Sequence, residues 1–432
     1  MNTKDFKIGF IGLGYAGFPM ACLFAKKYKT VGFDISRQRI AELQMGIDHC
    51  GDVPEKDIQE MLNNGTVLTD DFEKLRDCNF FVISVPTPVD SENRPDMSFV
   101  ESATQEVSSV LKKGDIVVYS STVYPGATEE VCVPILEECT GLRYNIDFFL
   151  GYVPERINPG DKDHTLANSV SIISGSTPET LKTIEAVYSK VLGKQFIFKV
   201  SSIKTAEAAK VVENSQRDIN IAFINEMAKV LSSMDIDTNE VIDAMNTKWN
   251  ALGFRPGFVG GHCIGVDPYY ISYKANQLGA ETQIIDAARN VSNSMAEFAA
   301  RKVLRALRES RGRDYGKSKV LILGFTFKEN CPDVRNTKIY DLYKYLSERV
   351  EDVTIFDPWA DHKTAENMYG LNIITNIRQL WKRQFDAILL CVPHKNFKNF
   401  DLKKYLSPDG FVYDFKGFFP RGNKTDISIK RL

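Results

Sequence analysis

The feature that most constrains the fold is a glycine-rich turn between an apolar run and a helical pattern. The run Phe6–Ile11 is typical of a strand, and Gly12-Leu-Gly14-Tyr-Ala-Gly17 follows it directly. Residues 18–28 have the apolar spacing of a helix. A second strand-like run, Thr30–Asp34, ends in a carboxylate 22 residues after Gly12. This order predicts a Rossmann-type unit that binds a dinucleotide.

The residues of this turn have distinct physical roles in such a unit. Gly12 permits the tight turn, Gly14 lets a pyrophosphate approach the backbone, and Gly17 brings helix and strand together. Free N–H groups at the start of the helix attract the phosphates. Asp34 would accept hydrogen bonds from a ribose diol and repel a 2′-phosphate, which predicts NAD rather than NADP. The nearby Arg37 and Arg39 weaken that preference slightly.

Polar loops follow three further apolar runs in the first 160 residues. Ligands bind at the carboxyl ends of strands in open α/β sheets, so these loops are expected on the ligand-binding edge. Hydroxyl groups that only cap loops would produce the same pattern. The runs and their loops are Phe80–Val85 with Pro86–Pro88, Asp115–Tyr119 with Ser120–Gly126, and Phe148–Val153 with Pro154–Gly160.

The middle of the chain is predicted to be helical. Residues 205–231 contain neither Gly nor Pro and have helical periodicity, which predicts a helix of roughly 40 Å. It would suit a hinge or a dimer seam. Lys210 and Asn214 lie one turn apart on it, and Glu207 with Lys210 could form no more than a surface ion pair. Two more helices are expected at 239–246 and 284–310.

The last part repeats the α/β rhythm after a polar, glycine-bearing break at 311–316, the best linker candidate. Gly324 and Asp357 stand after its first two strands, but no GxGxxG is present. The loop Phe325–Asn336 would suit a phosphate, although a degenerate unit used only for packing is the alternative. The predicted strands are Lys319–Gly324, Val353–Asp357, Asp386–Val392 and Gly410–Asp414.

Length and composition exclude several classes of protein. A chain of 432 residues is too long for one core, which predicts two or three domains. A net charge of −2 without a basic block argues against nucleic acid as the main partner. The eight cysteines have no CxxC spacing, so a zinc site is not expected. We find no signal-peptide pattern and no apolar run of transmembrane length, which predicts a cytoplasmic protein without a membrane partner.

The segment Phe258-Val-Gly-Gly-His-Cys-Ile-Gly-Val-Asp-Pro-Tyr-Tyr270 carries the strongest candidate chemistry. It places the thiol of Cys263 four residues before the carboxylate of Asp267, among three glycines. A thiolate there could act as a nucleophile. A buried structural cysteine is the alternative on this segment alone, and His262 is equally open to a structural role.

Taken together, these motifs closely resemble the UDP-glucose/UDP-N-acetylhexosamine 6-dehydrogenase family over nearly the whole chain. The motifs that carry the resemblance are Lys210-Val-Val-Glu-Asn214, Gly260-Gly-His-Cys263 with Asp267, and Phe327-Lys328 with Asp333 and Arg335, in order behind the dinucleotide turn. The sequences of residues 258–270 and 325–337 look like the branch that oxidises UDP-N-acetylglucosamine or UDP-N-acetylgalactosamine for surface polysaccharides.

The resemblance implies an α/β protein with two Rossmann-like, doubly wound parallel-sheet domains joined by a long central helix and a helical dimerisation domain. We expect an NAD-binding domain at 1–200, a helical domain with catalytic residues at 201–310 and a UDP-binding domain at 311–432. A homodimer or a dimer-based oligomer is implied, with a UDP-sugar as substrate.

The implied reaction oxidises the C6 alcohol of the sugar to a carboxylate and uses two NAD⁺. Cys263 would capture the aldehyde as a thiohemiacetal, which is oxidised to a thioester and hydrolysed. Lys210 and Asn214 would stabilise the oxyanion or a water, while Asp267 and Glu155 would assist proton transfer and hydrolysis.

Further roles follow from the same resemblance. Thr122 would lie beside the nicotinamide, and Arg255 could reach the diphosphate across a dimer interface. The full cofactor set is Gly12, Gly14, Tyr15, Ala16, Gly17, Asp34, Arg39, Pro86, Thr87, Thr122 and Arg335, and the substrate set is Arg156, Arg255, Gly260, Phe327 and Lys328.

Some alternatives stay open. Glucose-specific animal-type enzymes have a lysine where this chain has Val266, so that lysine's cofactor contacts cannot be transferred and glucose is disfavoured. A UDP-glucose 6-dehydrogenase and a two-electron dehydrogenase of the hydroxyacid or 6-phosphogluconate type are the rival enzymes. A non-catalytic nucleotide-sugar-binding protein is the third alternative. For an N-acetyl pocket, the candidate is the loop 248–255, where Trp249 could instead pack at an interface.

Overall fold

The computed structural model describes residues 6–156, 165–420 and 427–432. They form two compact units, one of Met1–Glu213 with Tyr269–Glu281 and one of Asn214–Pro268 with Thr282–Leu432. The predicted α/β class is confirmed, because each unit contains a largely parallel sheet.

The first unit is built on an eight-stranded sheet of order β3-β2-β1-β4-β5-β6-β7-β8. Strands β1 to β6 pair in parallel, whereas β7 runs antiparallel to β6. The strand order reverses between β1 and β4, which opens a crevice at their carboxyl ends. The strands are β1 Lys7–Ile11, β2 Lys29–Phe33, β3 Val67–Thr69, β4 Phe80–Ile83, β5 Ile116–Tyr119, β6 Phe149–Tyr152, β7 Ser171–Gly175 and β8 Ile197–Lys199.

Helices cover this sheet and bury its apolar side chains. Phe24 packs edge-on against Phe10 and Tyr188, and all three are fully buried. Helix starts follow ordinary capping rules: Thr177, for example, accepts a hydrogen bond from the N–H of Thr180. The helices are α1 Gly17–Ala25, α2 Arg37–Gln44, α3 Glu55–Asn63, α4 Ser98–Ser108, α5 Val133–Thr140, preceded by a π-helical turn at Thr128–Cys132, and α6 Pro178–Leu192.

The middle of the chain is helical, as predicted. The long helix α7, Ile203–Ser232, matches the expected 205–231 closely, and α8 is Thr238–Met245. The predicted helix at 284–310 is two helices, α10 Gln283–Asn293 and α11 Met295–Arg311. Their break is at Ser294, whose hydroxyl donates to the carbonyl of Val291 and so competes with continuous helix. Helix α9, Asp267–Gln277, lies between α8 and α10 in the chain.

The second unit contains a fully parallel sheet of order β10-β9-β11-β12-β13. The order reverses between β9 and β11, so a second crevice is expected at their carboxyl ends. The predicted linker at 311–316 is the end of α11 and a 3-10 helix, Gly312–Lys317. The elements are β9 Lys319–Leu323, α12 Ile339–Ser347, β10 Asp352–Phe356, α13 His362–Tyr369, β11 Phe385–Leu390, α14 Leu402–Tyr405, β12 Leu406–Asp414 and β13 Ser428–Arg431.

No helix within residues 6–156, 165–420 and 427–432 combines the length and apolar character needed to cross a membrane.

Candidate active site

The glycine turn after β1 has the geometry that a dinucleotide site requires. Gly12 has a φ of +90°, and a Cβ there would lie 2.2 Å from the carbonyl oxygen of Ser84. A Cβ at Gly17 would lie 2.0 Å from the oxygen of Gly12, so only glycine lets α1 approach so closely. A Cβ at Gly14 would meet no atom within 4 Å, which leaves open space over the turn. Tyr15 and Ala16 continue the turn into α1, and the residues present therefore fit NAD.

Asp34 closes this site at the end of β2. Its carboxylate accepts hydrogen bonds from the N–H groups of Leu13 and Ser36, each at 2.9 Å. The side chain is only partly buried. The acid is thus held in place by the glycine turn while a face of the carboxylate stays accessible for a ribose.

Arg39 has a different environment from the one expected. It is 5% exposed, and its Nη2 lies 2.8 Å from Oδ1 of the equally buried Asp48 side chain. Its Nε donates to the carbonyl of Leu13 at 2.9 Å. Because this guanidinium is buried and paired with Asp48, we expect it to attract a 2′-phosphate less than the exposed Arg37 does.

The loops after β4 and β5 are fastened by hydroxyl groups. Ser121 accepts a hydrogen bond from the N–H of Val85 at 2.8 Å, which ties these two loops together. The hydroxyl of Tyr270, which is fully buried, donates to the carbonyl of Thr87 at 2.8 Å. The predicted cofactor residues Pro86, Thr87 and Thr122 are all at least partly accessible there, at the carboxyl edge of the sheet.

Lys210 and Glu155 are brought together in the first unit. The Lys210 ammonium donates to the carbonyl oxygen of Glu155 at 2.5 Å and lies 3.8 Å from its carboxylate. Both residues are more than 90% buried. The structure thus pairs two of the five predicted catalytic residues, which are 55 positions apart in the sequence.

Glu207 is buried inside the first unit rather than placed in a surface ion pair with Lys210. It is fully buried, and its carboxylate accepts the N–H groups of Gly126 and Thr128 at 2.5 and 2.9 Å. Burial raises the pKa of Glu207 even though these hydrogen bonds lower it. The residue therefore anchors the loop that carries Thr122 to α7.

Arg156 begins a predicted substrate loop and is exposed. Its guanidinium binds the carboxylate of Glu213 at 2.9 Å and the carbonyl of Val170 at 3.1 Å. The remainder of that predicted loop, residues 157–160, lies outside the described residues.

In the second unit, Cys263 lies four residues before the first residue of α9. Its carbonyl accepts the N–H groups of Val266 and Asp267, at 3.0 and 2.8 Å, so the nucleophile candidate stands at the helix start. Asp267 is 1% exposed and accepts the amide of Asn214 at 2.6 Å. Cys263 itself is partly exposed. Asn214 and Asp267 are thus in direct side-chain contact, and the backbone of Cys263 is hydrogen-bonded to that of Asp267.

Two glycines before Cys263 allow the backbone to pass close to its neighbours. A Cβ at Gly260 would lie 2.5 Å from the oxygen of Asn336, and one at Gly261, where φ is +81°, would lie 2.6 Å from the Phe327 ring. The Asn336 side chain donates to the carbonyl of Gly261 at 2.9 Å, and the N–H of Gly261 donates to the carbonyl of Asn336 at 3.2 Å. The nucleophile loop, Gly257–Cys263, and the loop Phe325–Asn336 are therefore hydrogen-bonded to each other.

An ionic cluster joins the same two loops. His262 lies 2.9 Å from Asp333, whose carboxylate also accepts two hydrogen bonds from the Arg335 guanidinium. Burial raises the pKa of Asp333, but the bonds from His262 and Arg335 outweigh it and bring the pKa well below its usual value. Arg335, predicted to contact the cofactor, is thus engaged with Asp333, and His262 has a structural partner.

Asp357, at the end of the second strand of the second sheet, differs from Asp34 in its burial. It occupies the position that Asp34 has in the first sheet, yet it is completely buried. Its oxygens accept the N–H groups of Phe325 and Trp359, and it lies 3.0 Å from His394. Burial raises the pKa of Asp357, and hydrogen bonds led by that from His394 reverse the shift. No face of this carboxylate is accessible for a ribose.

A small cavity of about 30 Å³ lies at the carboxyl edge of the second sheet. Phe327 and Lys328, both predicted to bind substrate, line it together with Phe258 and Lys416. The sequence analysis did not predict Lys416 as a substrate-binding residue, although its position just after β12 favours a place on the ligand-binding edge of the sheet. Its ammonium donates to the carbonyl of Pro256 at 3.3 Å, and burial lowers its pKa.

The loop 248–255 leaves its aromatic candidate open to solvent. Trp249, the candidate for the N-acetyl methyl group, is 92% exposed. Arg255 binds Asp243 and, at 3.2 Å, Asn239. The exposure of Trp249 favours the alternative of packing at an interface.

Comparison with known families decides what these features belong to. Matches are found to the UDP-glucose/GDP-mannose dehydrogenase family's NAD binding domain at residues 6–192, its central domain at 204–294 and its UDP binding domain at 321–421. The chain belongs to the UDP-glucose/GDP-mannose dehydrogenase family. As a member of this family it is an NAD-dependent oxidoreductase.

Individual members of this family resemble the chain over its full length. It is 46% identical to UDP-N-acetyl-D-glucosamine 6-dehydrogenase of Pseudomonas aeruginosa, with 99% of this chain and 100% of that protein covered. It is 45% identical to protein CapL of Staphylococcus aureus, with 98% of each covered. Among solved structures, UDP-D-ManNAc dehydrogenase from Pyrococcus horikoshii superposes with a TM-score of 0.88 at 28% identity, with 99% of each chain covered.

Proposed function

We propose that this dehydrogenase oxidises the C6 hydroxymethyl group of a UDP-N-acetylhexosamine, UDP-GlcNAc or UDP-GalNAc, to the uronic acid. The observation that carries the proposal is the cluster of Cys263, Asp267 and Asn214. A thiol is the group that a four-electron oxidation needs, since it converts the intermediate aldehyde into a form that can lose a second hydride. When bound, NAD⁺ accepts one hydride in each of the two oxidations.

Cys263 adds its thiolate to the C6 aldehyde, and the resulting thiohemiacetal loses a hydride to become a thioester. Water then attacks the thioester, the C–S bond breaks, and the carboxylate leaves while the thiol takes up a proton. Asp267 assists the proton transfers, and the amide of Asn214 holds the substrate oxygen or a water. Lys210 stabilises the oxyanion, and Glu155 directs the hydrolytic water.

Binding is proposed to be divided between the two sheets. Gly12–Gly17, Asp34 and the loops of Thr87 and Thr122 would hold NAD, and Lys328 and Lys416 would bind the substrate diphosphate. The ammonium groups of Lys328 and Lys416, both partly buried beside the cavity, support this placement, because phosphate oxygens accept strong charge-assisted hydrogen bonds from lysine. We further propose the three-domain division at 1–200, 201–310 and 311–432, which the three family matches support.

The choice of sugar rests on the relatives. A protein 46% identical over the whole chain acts on UDP-N-acetyl-D-glucosamine, according to its name. A site built for an N-acetyl group leaves polar groups unpaired when glucose binds, and such sites discriminate strongly. UDP-glucose is the competing substrate.

We propose a homodimer formed through α7. An apolar stripe on this helix and the turn after it is exposed: Phe223 by 56%, Val230 by 40% and Met234 by 60%. Val230 lies seven positions after Phe223, so the two share one face of the helix, and Met234 stands two residues after its end. Phe223→Glu should give a monomer in light scattering, whereas Phe198→Glu, which alters an exposed aromatic on β8, should leave a dimer. A monomeric wild type contradicts this proposal.

A panel of UDP-sugars tests the proposed reaction. We expect two NADH per molecule of product and a product mass that corresponds to the uronic acid, with kcat/KM for UDP-GlcNAc or UDP-GalNAc above that for UDP-glucose. One NADH per product would instead indicate a two-electron dehydrogenase. Equal efficiency with UDP-glucose would refute the assignment of the sugar but not the four-electron chemistry.

A further inference from the structure

One face of α7 carries a series of buried polar side chains. Residues three, four and seven positions apart lie on one face of a helix. Burial of a polar group costs free energy unless it is hydrogen-bonded, so a buried polar side chain marks a contact that the fold uses. The members of the series, each at most 7% exposed, are Glu207, Lys210, Asn214, Asp218 and Asn225.

Asn225 is the member of this series whose contacts reach the start of the nucleophile loop, and the proposed chemistry assigns it no role. It is fully buried, and its amide makes two hydrogen bonds to one residue. Its Nδ2 donates to the carbonyl of Gly257 at 3.0 Å, and its Oδ1 accepts the N–H of Gly257 at 2.9 Å. The side-chain amide thus pairs with both backbone groups of Gly257, as a neighbouring strand would, and fixes the backbone at two points.

Gly257 is the residue at which the nucleophile loop begins. The loop runs from here to Cys263, and its later part is fixed by the bonds between Gly261 and Asn336. On its other side, a Cβ at Gly257 would lie 2.5 Å from the ammonium of Lys416. Asn225 therefore holds the near end of the loop, and it also holds the backbone beside Lys416, which lines the small cavity at the carboxyl edge of the second sheet.

We propose that Asn225 is a positioning residue that holds the Cys263 loop in register with Asp267 and with the cavity. The inference rests on the proposed function, because the loop matters for catalysis only if Cys263 is the nucleophile. A misplacement of about 1 Å can cost 10²-fold in rate. Loss of the clamp is therefore expected to lower kcat rather than to weaken NAD binding.

Three variants isolate the clamp. Asn225→Leu keeps the volume and removes both hydrogen bonds. Asn225→Asp keeps the acceptor for the Gly257 N–H, and it can donate to the Gly257 carbonyl only when the acid is protonated. Asn220→Asp is the matched control, since Asn220 is half-buried on a different face of the same helix.

The pH dependence of the Asp variant separates positioning from general damage. Burial raises the pKa of a carboxyl group, so the acid becomes protonated as the pH falls. We expect kcat of Asn225→Asp relative to wild type to rise at least about threefold from roughly pH 9 to pH 6.5, while the ratio for Asn220→Asp stays constant. For Asn225→Leu we expect kcat at least about tenfold lower, with KM for NAD⁺ within about threefold of wild type.

A kcat for Asn225→Leu within about twofold of wild type would overturn the proposal. If that variant does not fold, a constant pH ratio for Asn225→Asp would overturn it instead. The rate of Cys263 alkylation by iodoacetamide, followed by peptide mass spectrometry, gives a readout that does not depend on turnover. We expect at least about a threefold change in either Asn225 variant, and equal rates would reject the clamp even if no UDP-sugar were oxidised by the wild type.

Discussion

Asn214 donates its side-chain amide to the carboxylate of Asp267 over 2.6 Å, although 53 residues separate them in the chain. The bond links α7 to the first residue of α9, four positions after Cys263. The bond fixes the orientation of the carboxylate to which the proposed mechanism assigns proton transfer. This pair is therefore the proton-handling part of the proposed nucleophile site.

Replacement of the nucleophile should affect the two oxidations unequally. Cys263→Ser should block the second oxidation more than the first, because a serine alkoxide forms far less readily and its ester hydrolyses more slowly than a thioester. Rapid-quench kinetics should show a single NADH burst or a trapped ester. Steady turnover near the wild-type rate would exclude the thiol mechanism.

Lys210 should contribute to the rate rather than to binding. Its ammonium is buried and donates to the carbonyl of Glu155, and in the proposed mechanism it also donates a hydrogen bond to the oxyanion. We expect Lys210→Ala to lower kcat by roughly two to three orders of magnitude, the usual loss for such a donor. Lys204→Ala, on an exposed part of α7, is the control. An effect confined to KM would make Lys210 a binding residue.

The enzyme should prefer NAD⁺ to NADP⁺. Asp34 presents a carboxylate where a 2′-phosphate would lie, and Arg39 is neutralised by Asp48. Asp34→Asn should lower the ratio of kcat/KM for NAD⁺ to that for NADP⁺, because it removes the repulsion of the 2′-phosphate. Asp48→Asn should lower the same ratio, because it leaves the charge of Arg39 without its partner. Comparable kcat/KM of the wild type with both cofactors would contradict the role of Asp34.

The titration of Asp115 should make the free energy of unfolding fall as the pH rises, which is opposite to the usual effect of a carboxyl group. Burial raises the pKa of Asp115 to about 6 in the folded chain. The folded state then binds more protons than the unfolded state between about pH 4 and 6, so the free energy of unfolding falls as the pH rises through this range. The substitution Asp115→Asn keeps an oxygen that can accept the N–H of Lys112 but removes the titration.

Urea unfolding at several pH values checks this prediction. Asp115→Asn should gain stability relative to wild type as the pH rises from about 4 to 6, and the difference should be constant above about pH 7. Asp147 gives the opposite sign, because hydrogen bonds led by that from the Arg143 N–H lower its pKa. If the free energies of unfolding of wild type and Asp115→Asn change in parallel with pH, the raised pKa of Asp115 is contradicted.

Much of the architecture could be predicted because it follows from local patterns. The strand, the glycine turn, α1 and Asp34 are contiguous, and a glycine is required wherever a Cβ would strike the backbone, as at Gly12 and Gly17. The period of apolar residues was enough to locate α7 within about two residues at each end. These features depend on sterics and burial within one segment, which the order of residues specifies.

The partners of the charged and polar side chains were decided only by the tertiary structure. Arg39 pairs with Asp48, and Glu207 accepts a hydrogen bond from the distant Gly126. Asp357 accepts hydrogen bonds from backbone N–H groups. Lys416 donates to the carbonyl of Pro256, and Asn225 donates to that of Gly257. No periodicity predicts these contacts, because a buried polar group takes whichever partner the packing of remote segments brings within about 3 Å. The sequence alone determined which chemical groups are present and which local elements carry them. The tertiary structure decided which of these groups stay available to a ligand.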